Sequence, residues 1–442
     1  MVTVLFYPIA DKCVNNCAYC FEDENHRKTK IYDSYNKYAM AQKHSEIVEY
    51  HKSINEHTRT ILHGGEVLSL PIEDFEFFLV EMKKSQLNPS IQTSLGVPFT
   101  PEHIRLIKKY SVNIGVSVDG PRELNTLRGP RDPILNKKFQ DTVYNNLNLL
   151  SKEGISKGCI TILTKQNATG ENLDKMIQWH IDNRIGGRFN PMFSPWYDSN
   201  PEIKEQELSP EELTIAYLKL FEATLKTPGF EFALASDMRK FLLGNFNVVC
   251  VLGGCDYLYT TCQTIMPDGE VSRCDRCFQD GYYYTSKTKN FDARKVALSQ
   301  TECSHCRYFP FCGGSCPAEG ANGDFRSKTR FCQAMYSLFE AVEKSLRASF
   351  KNIILATDII DYPKDYLSKR KRFNPFRFEN YQQLDDDIKL KPYHPLSKEQ
   401  QQKEKGNCGC NKKKDDSGLQ KENTNNQEKF MHADYPNSGL RH

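Results

Sequence analysis

Short strand-like runs alternate with longer helical patterns along the first 200 residues, and this alternation limits the folds open to the chain. The strand-like runs are mainly apolar and end at small or polar residues; they are Val2–Tyr7, Arg59–His63, Ser90–Ser94, Asn113–Val118, Gly158–Leu163 and Arg188–Phe193. Helical patterns lie between them, at Ser34–Lys52, Ile72–Ser85, Pro101–Tyr110, Phe139–Glu153 and Asn172–Asn183. Strands that alternate with helices indicate βαβ units and a parallel sheet. Six strands favour an α/β fold with a partial (β/α)6 barrel of the TIM type over a closed barrel of eight.

Three cysteines follow the first strand-like run in a C-x3-C-x2-C pattern, at Cys13, Cys17 and Cys20. Thiolates on one short loop suit an iron–sulfur cluster, which normally takes four ligands. One iron then lacks a protein ligand, and such an open position on a metal is where a substrate or cofactor binds. Parallel barrels build their sites from loops at the carboxyl ends of the strands, so this loop is expected at that face.

Two further segments end predicted strands at the same face. In His63-Gly64-Gly65-Glu66, the two glycines allow the backbone to approach a ligand closely, although Gly-Gly-Glu is equally common in turns. Gly115–Pro121 ends the fourth strand with small polar residues, and its simplest interpretation is a strand followed by a tight Asp-Gly-Pro turn. Neither segment identifies a site on its own.

A second group of cysteines predicts a separate metal-binding region. Of the sixteen cysteines only Cys159 lies between Cys20 and Cys250, and it is expected to be a small buried side chain. Clustered cysteines favour metal ligation over disulfides in a reducing compartment. A zinc ribbon built from the pairs 274/277 and 303/306 is an alternative. The cysteines of this region are Cys250, Cys255, Cys262, Cys274, Cys277, Cys303, Cys306, Cys312, Cys316 and Cys332.

Composition limits the remaining classes of function. The net charge of +3 is small for 442 residues, so neither nucleic acid nor membrane binding is expected. No apolar stretch approaches the ~20 residues of a membrane-spanning helix, and no signal peptide is apparent, so a cytoplasmic location is predicted. The expected organisation is a partial barrel at 1–208, a helical bridge at 209–248, a cysteine-rich domain at 249–350, an extension at 351–396 and a disordered polar tail at 397–442.

The three strand-end segments, in this order, resemble those of the radical S-adenosylmethionine (SAM) superfamily over roughly residues 1–200. The resemblance implies that Cys13, Cys17 and Cys20 hold a [4Fe-4S] cluster whose open iron binds SAM. It also implies that Gly64, Gly65 and Glu66 contact the SAM amino group, that Tyr19 lies near the adenine, and that Ser117 lies near the methionyl or ribose portion. Such enzymes form a 5′-deoxyadenosyl radical that abstracts a substrate hydrogen, while the protein directs the radical and excludes water.

The second cysteine region is similar to the SPASM domain, an extension of many radical SAM enzymes that binds two auxiliary [4Fe-4S] clusters. This similarity implies one ligand set of Cys255, Cys262, Cys274 and Cys316, and another of Cys303, Cys306, Cys312 and Cys332. Cys250 or Cys277 could replace Cys255 or Cys262. Asp275 is a candidate proton acceptor by resemblance to anaerobic sulfatase maturases, since loss of a hydrogen atom and then an electron leaves a proton that needs a base. The alternative is that Asp275 only forms hydrogen bonds near the cluster.

Chains with this architecture mostly modify peptides or proteins, and two activities are predicted. The first is maturation of a ribosomally made peptide by a thioether, a carbon–carbon crosslink or another side-chain oxidation. The second is oxidation of Ser or Cys to formylglycine by an anaerobic sulfatase maturase. Gly115–Pro121 with Arg128 downstream resembles that group, although His63 and Val67 depart from its usual Gln-Gly-Gly-Glu-Pro. Expected partners are a peptide or protein substrate and a reducing donor such as flavodoxin or ferredoxin. A non-enzymatic iron–sulfur or zinc protein is the alternative of a different class.

Overall fold

The computed structural model describes residues 2–9, 13–20, 34–192, 201–245, 251–252, 262–272, 298–321 and 327–359. The chain divides into two units, residues 1–385 and 386–442, and all of the described residues belong to the first. Among them, no helix combines the length and the apolar character needed to cross a membrane. The polar tail predicted at 397–442, together with Cys408 and Cys410, lies outside the described residues.

The six predicted strands are present, each within two residues of its predicted ends, and helices separate them. The strands are β1 (Val2–Phe6), β2 (Thr58–Leu62), β3 (Ser90–Thr93), β4 (Asn113–Ser117), β5 (Lys157–Leu163) and β6 (Gly187–Pro191). The helices between them are α1 (Lys37–Ser53), α2 (Ile72–Met82), α3 (Pro101–Lys109), α4 (Pro133–Lys152), α5 (Lys165–Ala168) and α6 (Gly170–Asp182). The predicted α/β partial barrel is therefore confirmed.

The sheet is larger than six strands because the cysteine-rich region contributes to it. Its order is β6-β5-β4-β3-β2-β1-β7-β8, where β7 (Cys262–Ile265) runs parallel to β1 and β8 (Val271–Ser272) is antiparallel to β7. Seven parallel strands thus form a curled half-barrel. The sequence did not predict β7, since it lies in a cysteine-rich segment that lacks the alternation of strands and helices seen in the first 200 residues.

The two faces of the sheet have different environments. Val4 and Phe6 of β1 belong to the core between sheet and helices, and the Phe6 ring lies 5.1 Å from that of Phe78 on α2. The alternate residues, such as Thr3 and its partner in register Arg59, point to the concave face. This face is the inside of the half-barrel, and it is lined by more polar side chains than the helix-covered face.

Helices after the barrel pack onto one another and onto its last strands. They are α7 (Pro201–Lys204), α8 (Pro210–Lys226), α9 (Ala233–Leu242), α10 (Phe309–Cys312), α11 (Cys332–Ser349) and α12 (Ala356–Ile359). Helix α8 begins with a capping box, in which the Glu212 N–H donates to Ser209 Oγ at 3.1 Å and the Ser209 N–H donates to the Glu212 carboxylate at 2.8 Å. Helix α11 contacts both α8 and α9, so the C-terminal region is packed against the helices of the bridge.

Candidate functional site

The cysteine loop lies at the carboxyl end of β1, as the sequence predicts. Cys13, Cys17 and Cys20 are each partly buried, and their thiols are not joined to one another by disulfides. Burial raises the pKa of Cys13 above its usual range and that of Cys17 to about 12. Ionisation of thiols in such surroundings requires a cation beside them. The donor set therefore fits an iron–sulfur cluster, whose irons supply that charge.

Hydrogen bonds to Glu66 connect the cysteine loop with β3 and with the segment after β2. Its side chain is fully buried and accepts hydrogen bonds from Asn15 Nδ2 at 3.2 Å, from Thr93 Oγ1 at 2.6 Å and from the Leu68 N–H at 3.1 Å. The Ser94 N–H donates to it as well, at 2.9 Å, and so does the Ser94 hydroxyl. Donors from the cysteine loop, from β3 and from the segment after β2 thus meet at one carboxylate.

Gly64 and Gly65 occupy positions that a side chain cannot share. Both have positive φ, +83° and +60°, and a Cβ on Gly64 would lie 2.5 Å from the ring of Tyr7, one on Gly65 2.8 Å from Ile9. The His63 ring stacks on Tyr7 at 5.6 Å, and the Gly64 N–H donates to His63 Nδ1 at 2.8 Å. The glycines therefore bring the backbone close to the end of β1 and the cysteine loop.

The end of β4 contributes a third group of side chains. Ser117 points to the concave face and accepts a hydrogen bond from Gln92 Nε2 at 2.8 Å. Tyr19, in the cysteine loop, donates its phenolic hydrogen to the buried Asp119 carboxylate. That carboxylate also forms an ion pair with Arg128 at 2.8 Å. Three predicted site segments therefore meet at one edge of the sheet.

The concave face below this edge is polar and cationic. Arg59 of β2 and Arg188 of β6 both point into it, by the alternation and register of their strands. Burial and then the positive charge of Arg188 lower the pKa of Arg59, so the two guanidinium groups lie near each other inside the half-barrel.

Four cysteines of the second region lie close together. Burial raises the pKa of Cys303, and the neighbouring thiols of Cys312, Cys332 and Cys306 raise it further. Burial also raises the pKa of Cys332, with a further contribution from Cys306. These four residues, which we term the C-terminal cysteine group, are the second of the two predicted ligand sets.

The other predicted ligand set is only partly described. Cys262 begins β7 and is paired in register with Thr3 of β1, whereas Cys316 follows α10 and is buried. Cys255, Cys274 and the candidate proton acceptor Asp275 lie outside the described residues, as do Cys250 and Cys277.

No three His, Cys, Asp or Glu side chains in the described ranges are close enough together to hold a single metal ion. In a four-iron cluster each thiolate bonds to a different iron, so the thiolates do not have to converge on one point. A four-iron cluster at either cysteine group therefore does not require such convergence of the side chains.

Sequence reasoning missed Asn15 and the pairing of Asp119 with Tyr19 and Arg128. Asn15 lies between two cysteines, where the motif leaves the residue type open, and its partner Glu66 is 51 positions away. Asp119 was visible only as part of a turn. The signal that could have indicated a functional role for Asp119 is an acidic residue directly after a predicted strand.

Comparison with known proteins supports the resemblance to the radical SAM superfamily. The sequence model of the Radical SAM superfamily matches residues 7–180. The chain is 23% identical over 381 residues to the serine-type anaerobic sulfatase-maturating enzyme of Bacteroides thetaiotaomicron, a match that covers 77% of this chain and 89% of the relative. It is 26% identical over 221 residues to an uncharacterised protein of Methanothermobacter thermautotrophicus, covering 48% of this chain and 76% of that protein.

The fold is similar to that of a solved structure, native anSMEcpe with bound AdoMet. The TM-score is 0.62 at 18% sequence identity, and the match covers 79% of this chain and 99% of the other. Native anSMEcpe with bound AdoMet and the Cp18Cys peptide gives a TM-score of 0.63 at 17% identity, covering 79% and 98%. These matches extend the shared fold past the half-barrel into the C-terminal region.

Proposed function

We propose that the protein is a radical SAM enzyme that oxidatively modifies a side chain of a peptide or protein, since the sequence model of the Radical SAM superfamily matches residues 7–180. The observation that carries the proposal is the meeting of three segments at the carboxyl edge of the sheet. These are the cysteine loop, the Gly64–Glu66 segment and the end of β4 around Ser117 and Asp119.

In this proposal Cys13, Cys17 and Cys20 hold a [4Fe-4S] cluster, and Gly64, Gly65 and Glu66 border the amino group of SAM. When bound, the cluster and SAM supply a 5′-deoxyadenosyl radical that removes a hydrogen atom from the substrate. Tyr19 and Ser117 border the adenine and the methionyl or ribose portion. The chain's own contribution is to orient these groups and to keep water from them.

We propose that the C-terminal region is a SPASM domain with two auxiliary [4Fe-4S] clusters. The C-terminal cysteine group would ligate one of them, and the proximity of its four thiols supports this set. The other set would be Cys255, Cys262, Cys274 and Cys316. Fully ligated clusters suit electron transfer, so an electron removed from the substrate would leave through them to an external acceptor. Asp275 would take the accompanying proton.

The first candidate reaction is maturation of a ribosomally made peptide through a thioether or carbon–carbon crosslink. His63 and Val67 favour it, because they depart from the usual sequence of sulfatase maturases. The polar concave face, with Arg59, Arg188, Gln92 and Ser117, is suited to the amide and carboxylate groups of a peptide. A flavodoxin or ferredoxin in the cytoplasm would supply the reducing electron.

The second candidate is oxidation of Ser or Cys to formylglycine. Its support is the similarity, over 381 residues, to a serine-type anaerobic sulfatase-maturating enzyme. Mass analysis of a co-expressed small peptide or sulfatase separates the two candidates. Both a crosslink and Ser oxidation remove two hydrogens, so trapping with a hydrazide then identifies the aldehyde that only formylglycine contains.

The proposed activity is tested with anaerobically reconstituted, chemically reduced protein. We expect SAM to be cleaved to 5′-deoxyadenosine, and simultaneous replacement of Cys13, Cys17 and Cys20 by Ala to abolish the cleavage. Cys159→Ala is the matched control, because Cys159 is a buried cysteine of β5 outside the site. Unchanged cleavage in the triple variant would exclude the proposed enzyme mechanism at these cysteines. No cleavage by the wild-type protein would instead favour the iron–sulfur or zinc scaffold.

A further inference from the structure

The loop that follows β4 contacts the cysteine loop through its backbone at two points. The Ala18 N–H donates to the carbonyl of Leu127 at 3.1 Å. In the opposite direction, the Gly129 N–H donates to the Sγ of Cys17 at 3.2 Å. We term residues 119–129 the clamp loop. Its residues on either side of Arg128 in the sequence, Leu127 and Gly129, bind the cysteine loop at Ala18 and at Cys17, the central cysteine of the motif.

A buried ion pair lies between these two backbone contacts. Arg128 and Asp119 pair at 2.8 Å, and their side chains are only 8% and 2% exposed. Asp119 also accepts the Ile162 N–H of β5 at 2.8 Å and the hydroxyl hydrogen of Tyr19. The Arg128 guanidinium lies 5.5 Å from the centre of the Tyr19 ring. Tyr19 is thus held through both its ring and its hydroxyl.

Burial of this ion pair is not explained by stability. Removing two charges from water is costly for each ion, and apolar residues of similar volume are often as stable or more so. Arg122, in the same loop, shows the alternative: it pairs with Asp141 at the surface, where both side chains are about half exposed. Arg128 is therefore expected to have a role that requires a positive charge at its position.

That position is beside Cys17. The Gly129 N–H donates to Cys17 Sγ at 3.2 Å, and the guanidinium of the preceding residue, Arg128, lies 5.5 Å from the ring of Tyr19, two residues after Cys17. Asp119, the partner of Arg128 in the buried pair, carries the opposite charge. Negative charge on the Cys17 sulfur is thus stabilised by Arg128 and opposed by Asp119.

We propose that Arg128 is a positioning residue that, with the Gly129 N–H, makes an iron–sulfur cluster on Cys13, Cys17 and Cys20 easier to reduce. The inference rests on the proposed function of this loop. Reduction adds one electron from an external donor and forms no bond, so the cluster becomes more negative by one charge. Nearby positive charge and hydrogen bonds to sulfur favour the more negative state and raise the reduction potential.

The test is a reductive titration of the reconstituted full-length protein, followed by electron paramagnetic resonance. The signal to follow is the one that is missing from the Cys13, Cys17 and Cys20 triple variant. In Arg128→Met we expect the ratio of reduced to oxidised cluster at a fixed potential to fall about tenfold, which for one electron is about 59 mV. Arg128→Lys is expected to recover most of the loss, and Arg122→Met to leave the potential unchanged.

Asp119→Asn separates an electrostatic role from a structural one. It removes the negative charge and keeps one acceptor oxygen for the Ile162 N–H, while the new NH₂ group can donate to the hydroxyl oxygen of Tyr19. The cluster should therefore become easier to reduce, opposite to Arg128→Met. If Arg128→Met takes up no iron, the direction in which Asp119→Asn shifts the reduction potential decides whether the inference holds. Shifts of the same sign in both variants, unchanged potentials, or loss of iron from both would overturn the inference.

Failure of the proposed function has a different signature. In that case the wild-type protein shows no signal that depends on Cys13, Cys17 and Cys20, and no cleavage of SAM. A wild-type protein that has the signal and cleaves SAM, but whose potential does not respond to Arg128, contradicts only the role of the clamp loop.

Discussion

At the scale of single residues, the site depends on carboxylates that are buried and fully engaged. Glu66 is the clearest case, because its two oxygens receive donors from three separate segments. The sequence indicates Glu66 through the Gly-Gly-Glu motif, but it does not indicate Asn15 or Thr93. Those partners are 51 and 27 positions away, and only the parallel packing of β1, β2 and β3 brings them together.

Glu66→Gln tests this engagement. An amide has one acceptor oxygen, and its NH₂ group would face the N–H of Ser94 or the hydroxyl of Thr93. We expect a loss of about 1–3 kcal/mol in the free energy of unfolding, since buried donors lose their acceptor. SAM cleavage should fall with it, because the cysteine loop loses its contact through Asn15. The urea midpoint and the yield of 5′-deoxyadenosine measure the two effects.

Glu102→Gln is the matched control, because Glu102 pairs with Arg105 on the surface of α3 and is 44% exposed. Exposed pairs of this kind contribute at most about 1 kcal/mol. Equal loss of stability in the two variants would contradict a special role for the burial of Glu66.

Two buried histidines predict a dependence of stability on pH. Burial, assisted by the charge of Lys84, lowers the pKa of His44 to about 3, and burial lowers that of His180 to about 4. Both start from 6.5, so between pH 6.5 and these values the unfolded chain binds more protons than the folded one. Stability then decreases as the pH falls through this window and is unaffected above it.

Each histidine contributes a slope of up to about 1.4 kcal/mol per pH unit. We expect the urea midpoint, followed by tryptophan fluorescence, to fall between pH 7 and pH 5, and His44→Leu to make this decrease shallower. Replacement of the exposed His57 by Leu should leave the slope as it is. A slope that is identical in wild type and His44→Leu would show that His44 is not the titrating group.

At the scale of elements, the half-barrel is predictable because each strand is short, apolar and followed by a helix with its own start signal. The helix predicted from Pro101 is observed as α3 with Thr100 as its cap, and α8 begins at Pro210 after the cap Ser209. Strand β7 is not predictable in this way. Its residues form a strand because β1 offers an edge for pairing, and that partner is about 260 residues earlier in the chain.

Gly64→Ala tests the close approach between the segment after β2 and the end of β1. The added Cβ meets the ring of the fully buried Tyr7 at 2.5 Å, in a backbone region that disfavours side chains. We expect a loss of more than about 1 kcal/mol in stability and weaker binding of SAM, because either Tyr7 or the glycine backbone must move. Thermal unfolding and SAM binding by equilibrium dialysis measure these effects.

Gly154→Ala provides the control, since Gly154 also has a positive φ of +68° but has nothing within 4 Å of an added Cβ. Gly154→Ala therefore has the cost of a side chain at positive φ, but its Cβ clashes with no other atom. If Gly154→Ala lost as much stability as Gly64→Ala and neither affected SAM binding, the contact with Tyr7 would have no functional meaning.

At the scale of the whole molecule, the cysteine-rich region and the half-barrel are structurally joined. Strand β7, which begins at Cys262, extends the barrel sheet beside β1, and α11, which begins at Cys332, packs on α8. The sequence indicates two cysteine regions by their spacing. It does not indicate that they share a sheet, because strand pairing depends on the register of distant segments rather than on local pattern.

Joint replacement of Cys303 and Cys332 by Ala tests the independence of the two regions. If the C-terminal cysteine group holds one of three four-iron clusters, we expect the iron content to fall by about a third. The signal that depends on Cys13, Cys17 and Cys20 should remain, because the contacts of Glu66 and the clamp loop do not involve α11. Cleavage of SAM should therefore continue, whereas turnover of the peptide should decrease because the electron removed from the substrate has no acceptor.

The matched control is Cys159→Ala, which should keep all of the iron. Zinc instead of iron in the wild-type region, or loss of every cluster in the double variant, would contradict this division of the molecule.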